Sequence, residues 1–204
     1  MIIGICGGSG SGKTTLMYRL AHQFAVCKPT LFSMDNYYFP IEKQVKDAKG
    51  VANFDLPSSI DRHKLYLDLL QLQQGSTIQQ KEYNFNSETG KNVLITLNPS
   101  QLIFIEGLFL FEYQEIHQLL DFSIFIDFDS KLQLDRRLYR DQEIRGYDRE
   151  DILYRWEHHV LPCFENFLLP YRNEADFIYN NTTPDEEFLR LVKALEFKLT
   201  CSKK

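Results

Sequence analysis

The 204-residue sequence has no excess of positive charge: 23 Lys and Arg against 28 Asp and Glu leave a formal net charge of −5. That balance argues against a surface built to bind nucleic acid or another polyanion. Long hydrophobic runs are also absent. The longest, LIFIEGLFLFEY from Leu102, is too short to cross a bilayer and carries a glutamate near its centre. The opening MIIGIC shows no basic n-region and no cleavage site, so no signal peptide is expected. The four cysteines, Cys6, Cys27, Cys163 and Cys201, have neither CxxC nor metal-ligand spacing and are expected to be reduced thiols in a cytosolic protein. There are no repeats and no low-complexity segments. At this length, with 44% apolar residues, residues 1–204 are expected to form one domain with a real core.

What is present alternates between strand and helix signals. MIIGIC, PTLFSMD, QLIFIEG, DFSIFIDFD and ADFIYN are short apolar runs of the kind buried in parallel sheets. Helical patterns lie between them: GKTTLMYRLAHQFAV, with Leu16, Leu20 and Phe24 in register; DRHKLYLDLLQLQQG, stopped by Gly75; a polar helix from about Ser130; a long helix from about Asp148, expected to kink near Pro162; and PDEEFLRLVKALEFKL. STIQQKEYNF and KNVLITL flank the turn-rich NSETG and predict a hairpin lobe over residues 75–97. The pattern predicts an α/β fold, a mostly parallel sheet with helices on both faces. Residues 36–59, with Pro40, Gly50 and Pro57, are irregular, and a loop of that length in a small domain is usually functional.

GICGGSGSGKTT, Gly4 to Thr15, joins the first strand to the first helix. Gly7, four spacers, Gly12, Lys13 and Thr14 have the spacing of a phosphate-binding loop. Gly7, Gly8, Gly10 and Gly12, with Ser9 and Ser11 between them, let backbone N–H groups approach phosphate oxygens, and the helix from Lys13, Thr14 and Thr15 adds its positive dipole end. Lys13 is placed to reach the β- and γ-phosphates and Thr14 to offer a hydroxyl to Mg²⁺. Two acids, Asp35 and Glu106, end neighbouring strands, where open α/β sheets bind ligands. Either could hold Mg²⁺ or take a proton from an attacking hydroxyl, or simply cap the next element. Arg136, Arg137, Arg140, Arg145, Arg149 and Arg155 crowd one short region of this acidic chain. Arg137 and Arg140 can share a helix face, and the glycine in EIRGYD suits a lid, over about residues 136–150, that brings arginines to a transferring phosphoryl group. The competing reading is a solvated helix with salt bridges to Asp135, Asp141 and Glu143. Two features receive no role. His158 and His159 are neighbours, which do not face one ligand together on a helix. DAKG at 47–50 mimics a GTPase DxxG without following a strand, and no NKxD motif accompanies it.

The ordered series resembles the uridine kinase (uridine–cytidine kinase) family of P-loop nucleoside kinases. IIGICGGSGSGKTT, SMDNYYF, NFDLPSSID, QGSTIQQKEYNF, IFIEGLFLF, FSIFIDFD, RRLYRD, RGYD and VLPCFENFLLPYRNEADFI resemble its segments in the same order across nearly the whole chain. The resemblance implies a P-loop fold with a five-stranded parallel sheet, a small hairpin lobe and a helical lid. It implies transfer from ATP or GTP, with Mg²⁺, to the 5′-hydroxyl of a small nucleoside acceptor in pyrimidine salvage, with no nucleic-acid or membrane partner, commonly by homotetramers. By resemblance, Asp35 is the base near Mg²⁺, Thr14 and Glu106 help hold the metal, and Asp55 bonds the ribose hydroxyls. Tyr38, Tyr83 and Phe85 line the nucleoside pocket, and Arg137 and Arg140 sit on the lid. Three acceptor-side positions depart from the pattern: Glu88 stands for a histidine, Tyr147 for an arginine and Arg155 for a glutamine or similar residue. A glutamate is a donor only when protonated, and a tyrosine lacks the guanidinium fork. The base therefore stays open, as do nicotinamide riboside, pantothenate or ribulose 5-phosphate as acceptor and a nucleotide-binding regulator as a different class.

Overall fold

The computed structural model describes residues 1–83 and 93–201. Its centre is a five-stranded sheet made of β1 (Ile2–Gly7), β2 (Thr30–Ser33), β5 (Ile103–Gly107), β6 (Phe122–Asp127) and β7 (Phe177–Asn180), in the order β2-β5-β1-β6-β7 with every neighbouring pair parallel. The strand that feeds the glycine-rich loop lies in the middle. The chain crosses over on either side of β1, opening a crevice beyond its carboxyl end where open α/β sheets bind ligands.

The apolar runs are continuous because both faces of the sheet are covered. Side chains alternate between faces along each strand. Ile3, Ile5, Phe104, Ile124 and Ile126 pack with Leu16 and Leu20 of α1 (Lys13–Gln23) and Leu191 and Leu195 of α7 (Pro184–Cys201). Ile2, Ile103, Ile105 and Phe125 face the other way, with Leu65, Leu69 and Leu72 of α2 (Arg62–Gln73) and with Cys163 and Leu168. α2 begins where the Asp61 carboxylate accepts from Lys64 N–H.

The hairpin lobe is an antiparallel pair, β3 (Ile78–Lys81) and β4 (Leu94–Leu97), with Ile78 opposite Leu97. Its turn, with Phe85 and Glu88, lies outside the described residues. A four-residue helix, α3 (Gln114–His117), follows β5 with no sequence signal noted for it. α4 (Ser130–Tyr139) is capped by Asp129, whose side chain accepts from Lys131 and Leu132 N–H. A wide π-type turn over Arg140–Ile144 and a break at Gly146 lead to α5 (Arg149–Arg155). Gly146 has φ of 72°, which a residue with a Cβ rarely adopts.

The helix expected from Asp148 is built from α5, a wide turn over Trp156–Val160, the short α6 (Leu161–Cys163) and a second wide turn over Phe164–Leu168. Pro162, which has no N–H to give, lies between the two wide turns, and the residues on either side keep right-handed helical dihedrals. Widened turns, rather than a change of dihedral region, accommodate it. Among the described residues no helix is long and apolar enough to cross a membrane, and Cys6, Cys27 and Cys163 are free thiols.

Candidate active site

The carboxyl ends of β1, β2 and β5 open into a cleft of about 1440 Å³. The loop after β1 forms its floor. Gly10 and Gly12 have φ of 80° and 96°, a backbone region that glycine reaches without strain. A Cβ on Gly12 would stand 2.8 Å from Asn181 Nδ2, and that amide instead donates to Ser11 O at 2.6 Å, fixing the loop to the end of β7. Lys13 Nζ bonds Gly8 O at 3.1 Å, which holds its ammonium over the cradle.

Two acids enter from the neighbouring strands. Glu106 is 2% exposed. Its Oε1 accepts from Ser33 Oγ at 2.7 Å and from Thr14 Oγ1 at 3.4 Å, so one carboxylate ties together β2, β5 and the start of α1. Asp35 follows β2 in a short turn in which its N–H bonds Ser33 Oγ at 3.3 Å.

The wall opposite the glycine loop is aromatic. Tyr38 meets Phe54 edge-on at 5.8 Å and Tyr83 at 5.5 Å between ring centres, with Asp55 beside them. Tyr83 N–H bonds Asn36 Oδ1 at 3.0 Å, so the hairpin lobe is anchored one residue from Asp35.

The lid supplies the arginines. Arg137 Nη1 donates to Ser9 Oγ at 2.7 Å, and its Nε lies 3.3 Å from Asp141 Oδ2. Arg140 Nε and Arg145 Nη1 converge on Asp141 Oδ1 at 2.7 and 3.2 Å. Asp141 is 3% exposed, so one buried carboxylate orients three guanidinium groups at the cleft's rim. The two readings of this cluster therefore combine in part: of the three acids expected as partners, Asp141 takes the salt bridges of Arg137, Arg140 and Arg145, and these arginines line the cleft. Arg136 also lines the cleft, with its guanidinium 4.2 Å above the Phe128 ring rather than on Asp141.

A glycine-rich loop, two strand-end acids and an arginine lid in this order have known relatives. The sequence model of the Phosphoribulokinase / Uridine kinase family matches residues 2–186. The chain belongs to this family. It is 32% identical to a uridine kinase of Brevibacillus brevis over 178 residues, covering 87% of this chain and 83% of that one. It is also 32% identical to uridine-cytidine kinase B of Dictyostelium discoideum, over 87% of this chain and 73% of that one. Among solved structures it resembles the phosphoribulokinase of Rhodobacter spheroides (TM-score 0.63, 16% identity, 88% of this chain and 69% of that one). A D-glycerate 3-kinase from Cryptococcus neoformans is similar in fold (TM-score 0.59, 14% identity, 88% and 86%). The protein is thus a kinase, a phosphotransferase with an alcohol acceptor.

In this kinase the site's electrostatics follow from its geometry. Burial pushes the Glu106 carboxyl up to about 7, with the Asp35 charge adding to the shift while Lys13 and the two hydroxyl hydrogen bonds oppose it. Asp35 is also raised, first by burial, with Asp55 adding and Lys13, Arg145 and Arg140 opposing. Burial pushes Tyr83 up to about 12, so its hydroxyl stays a donor at neutral pH. Cys6 is likewise pushed up to about 12 by burial, leaving an inert thiol behind the loop.

Of the residues expected at the site, Ser9, Gly10, Gly12, Lys13, Thr14, Thr15, Asp35, Tyr38, Asp55, Tyr83, Glu106, Arg137, Arg140, Tyr147 and Arg155 all line this one cleft. Gly7, Gly8 and Ser11 form the buried underside of the loop. Arg155 pairs with Asp151 at 2.9 Å and donates to Ala52 O at 3.1 Å, while Glu88 lies outside the described residues. Sequence reasoning gave no individual role to Arg145, Phe54, Asn36 or Asn181. Arg145 was visible as one of a cluster, and Phe54 as the neighbour of Asp55. Asn36 and Asn181 act on backbone atoms 47 and 170 residues away, which no local pattern signals.

Among the described residues no group of three or more His, Cys, Asp or Glu is placed to hold a metal ion. The oxygen set of Thr14, Asp35 and Glu106 fits a different kind of site. Mg²⁺ is commonly bound by one or two carboxylates, with water and substrate phosphates completing its shell. Burial raises both carboxyls, so a bound cation would favour their ionised forms.

Proposed function

We propose that this protein is a nucleoside kinase that transfers the γ-phosphoryl of ATP or GTP, with Mg²⁺, to the 5′-hydroxyl of uridine, cytidine or a related nucleoside. The observation that carries the reading is the position of Asp35. It sits between the phosphate loop and a wall of Tyr38, Phe54 and Tyr83 in one cleft, with Asp55 on the aromatic side. Phosphoryl transfer needs little covalent chemistry from the protein; it needs positioning, charge stabilisation and a group to take the acceptor's proton. Its family relatives named as uridine and uridine–cytidine kinases support the acceptor class.

Each residue then has a task. The N–H groups of the loop from Gly7 to Thr15 and the Lys13 ammonium cradle the donor's phosphates. Thr14, Asp35 and Glu106 would hold Mg²⁺, which when bound neutralises charge on those phosphates. Asp35, its pKa raised by burial, accepts the proton of the attacking hydroxyl. Arg137, Arg140 and Arg145, held in place by Asp141, stabilise charge on the transferring group. Tyr38, Phe54 and Tyr83 offer π-faces to a planar base, and Asp55 accepts from ribose hydroxyls. Pyrimidine salvage in the cytoplasm and a homo-oligomeric assembly belong to the same reading.

One observation keeps a second acceptor in view. Tyr147 and Arg155 line the cleft where the resemblance places an arginine and a glutamine, so a different small acceptor, such as nicotinamide riboside, pantothenate or ribulose 5-phosphate, belongs in the test. A panel of these acceptors and of nucleosides, with labelled ATP or GTP, decides between them. Asp35→Asn is expected to bind ATP as the parent does and to lose turnover by roughly 10² or more, as for a general base. Unchanged turnover in that variant would refute the assignment.

A further inference from the structure

The two features left without a role in the sequence, DAKG and the histidine pair, lie against each other. Asp47 belongs to a strap over residues 44–53. The strap is a tight hairpin in which Asp47 N–H bonds Val51 O at 2.9 Å, Asn53 N–H bonds Val45 O at 2.8 Å, and Lys46 pairs with Ala52. Asp47 Oδ1 accepts from the Lys49 and Val51 N–H groups, each at 2.9 Å. Its Oδ2 faces outward to the helix after the lid. It accepts from the Tyr154 hydroxyl at 2.8 Å and lies 2.8 Å from His159 Nε2. Two more contacts cross the same junction: Lys49 Nζ stands 4.3 Å from the centre of the Tyr154 ring, and Arg155 Nη1 donates to Ala52 O at 3.1 Å.

The helix is shaped for this contact. On a plain α-helix residues 154 and 159 stand about 140° apart, since five steps of about 100° overshoot one turn. The wide turn over Trp156–Val160, in which Leu161 N–H reaches back to Trp156 O, turns less per residue and brings both side chains to one oxygen. His159 is 3% exposed, whereas its neighbour His158 is exposed. The buried imidazole is partnered by the Asp47 carboxylate, and together with Tyr154 it ties the strap to the helix. The strap runs directly into Phe54 and Asp55, and Asn53 Oδ1 accepts from Asp55 N–H at 2.8 Å. Phe54 and Asp55 line the cleft.

We infer that Asp47, held by Tyr154 and His159, is a positioning residue for the acceptor, fastening the strap to the post-lid helix so that Phe54 and Asp55 stand at fixed places in the cleft. The inference rests on the nucleoside-kinase reading. It assigns Asp47, Tyr154 and His159 to acceptor binding, with no part in donor binding or in the transfer step.

The test compares Asp47→Asn, which keeps the Oδ1 contacts but puts an NH₂ where Oδ2 accepted, with His159→Leu and His159→Gln. Losing hydrogen bonds to a charged group is expected to raise the nucleoside KM by about tenfold in D47N and H159L. The ATP KM and kcat should stay within about twofold of the parent, the pattern of lost acceptor binding. H159Q retains a donor and is expected to restore most of the nucleoside affinity. Donor and acceptor KM moving together, or neither moving in folded variants, would overturn the inference. Should D47N or H159L not fold, Tyr154→Phe removes one hydrogen bond and is expected to give a smaller rise in the nucleoside KM alone; no rise would count against the inference. Amide exchange without substrates gives a second readout: residues 52–55 should exchange faster in D47N than in the parent while the phosphate loop is unchanged, and equal exchange at 52–55 would overturn it. If the parent phosphorylates no nucleoside, the proposed function fails, and the exchange measurement still decides whether Asp47 fixes the strap.

Discussion

Glu106 is the site's most buried acid, and its cost to the ligand-free protein can be worked out. Its carboxyl has an ordinary value of 4.5 and is pushed up to about 7 in the fold. Between those values the folded protein holds a proton that the unfolded chain has released. Stability therefore falls as pH rises through this window, by about 1.4 kcal/mol per pH unit. The full penalty, about 3 kcal/mol, applies above pH 7 and is absent below the unfolded value. Glu106→Gln removes the titration while keeping an oxygen that can accept from Ser33 and Thr14. Its new amide N–H groups add a constant offset, because an unpaired buried donor costs the same at any pH. The informative quantity is the difference in unfolding free energy between variant and parent, measured by urea titration in EDTA without nucleotide. Trp156, the single tryptophan and 7% exposed, reports the transition. From about pH 5 to pH 8 the difference should move in favour of E106Q by about 2.5 kcal/mol, the remainder being already present at pH 5. A difference that does not change with pH would show that Glu106 ionises freely in the fold and that the cleft is not built around a suppressed charge.

Two further outcomes test the aromatic wall and the lid. Tyr83→Ala should raise the nucleoside KM by about 5- to 100-fold, as expected when a base loses one stacking partner, with the ATP KM nearly unchanged; steady-state kinetics with each substrate varied in turn would show it. Arg145→Ala should lower kcat by on the order of 10³, the lower end for an arginine acting on a transferring phosphoryl group. A rapid-quench measurement of the chemical step would expose a loss confined to product release.

Much of the fold was legible because its signals are local. Both faces of the sheet are covered, so its strands read as unbroken apolar runs. The phosphate loop is legible for the same reason: glycines, Lys13 and Thr14 act through one continuous stretch of backbone. Asp35 and Glu106 could be found because strand ends in such a sheet point at one crevice. The long helix after the lid was less legible, since the widened turns on either side of Pro162 leave no periodicity in the sequence that announces them. The arginine cluster was visible, but its organisation was not. Arg137, Arg140 and Arg145 share Asp141 only because a wide turn over Arg140–Ile144 brings them around one carboxylate.

The sheet, the phosphate loop and the two strand-end acids are written in the sequence, because each is carried by a contiguous pattern whose physics is complete within a few residues. Tertiary structure alone decided which distant groups meet. Asn181 steadies the phosphate loop, Asn36 anchors the hairpin lobe, and Asp47 meets His159 across 112 residues of chain. These contacts depend on distances and angles between separately formed elements, and no local periodicity encodes them. The side of the cleft formed by the strap and the hairpin lobe is held by such contacts, whereas the glycine loop is one continuous stretch of chain, and so the loop could be read from the sequence in far more detail.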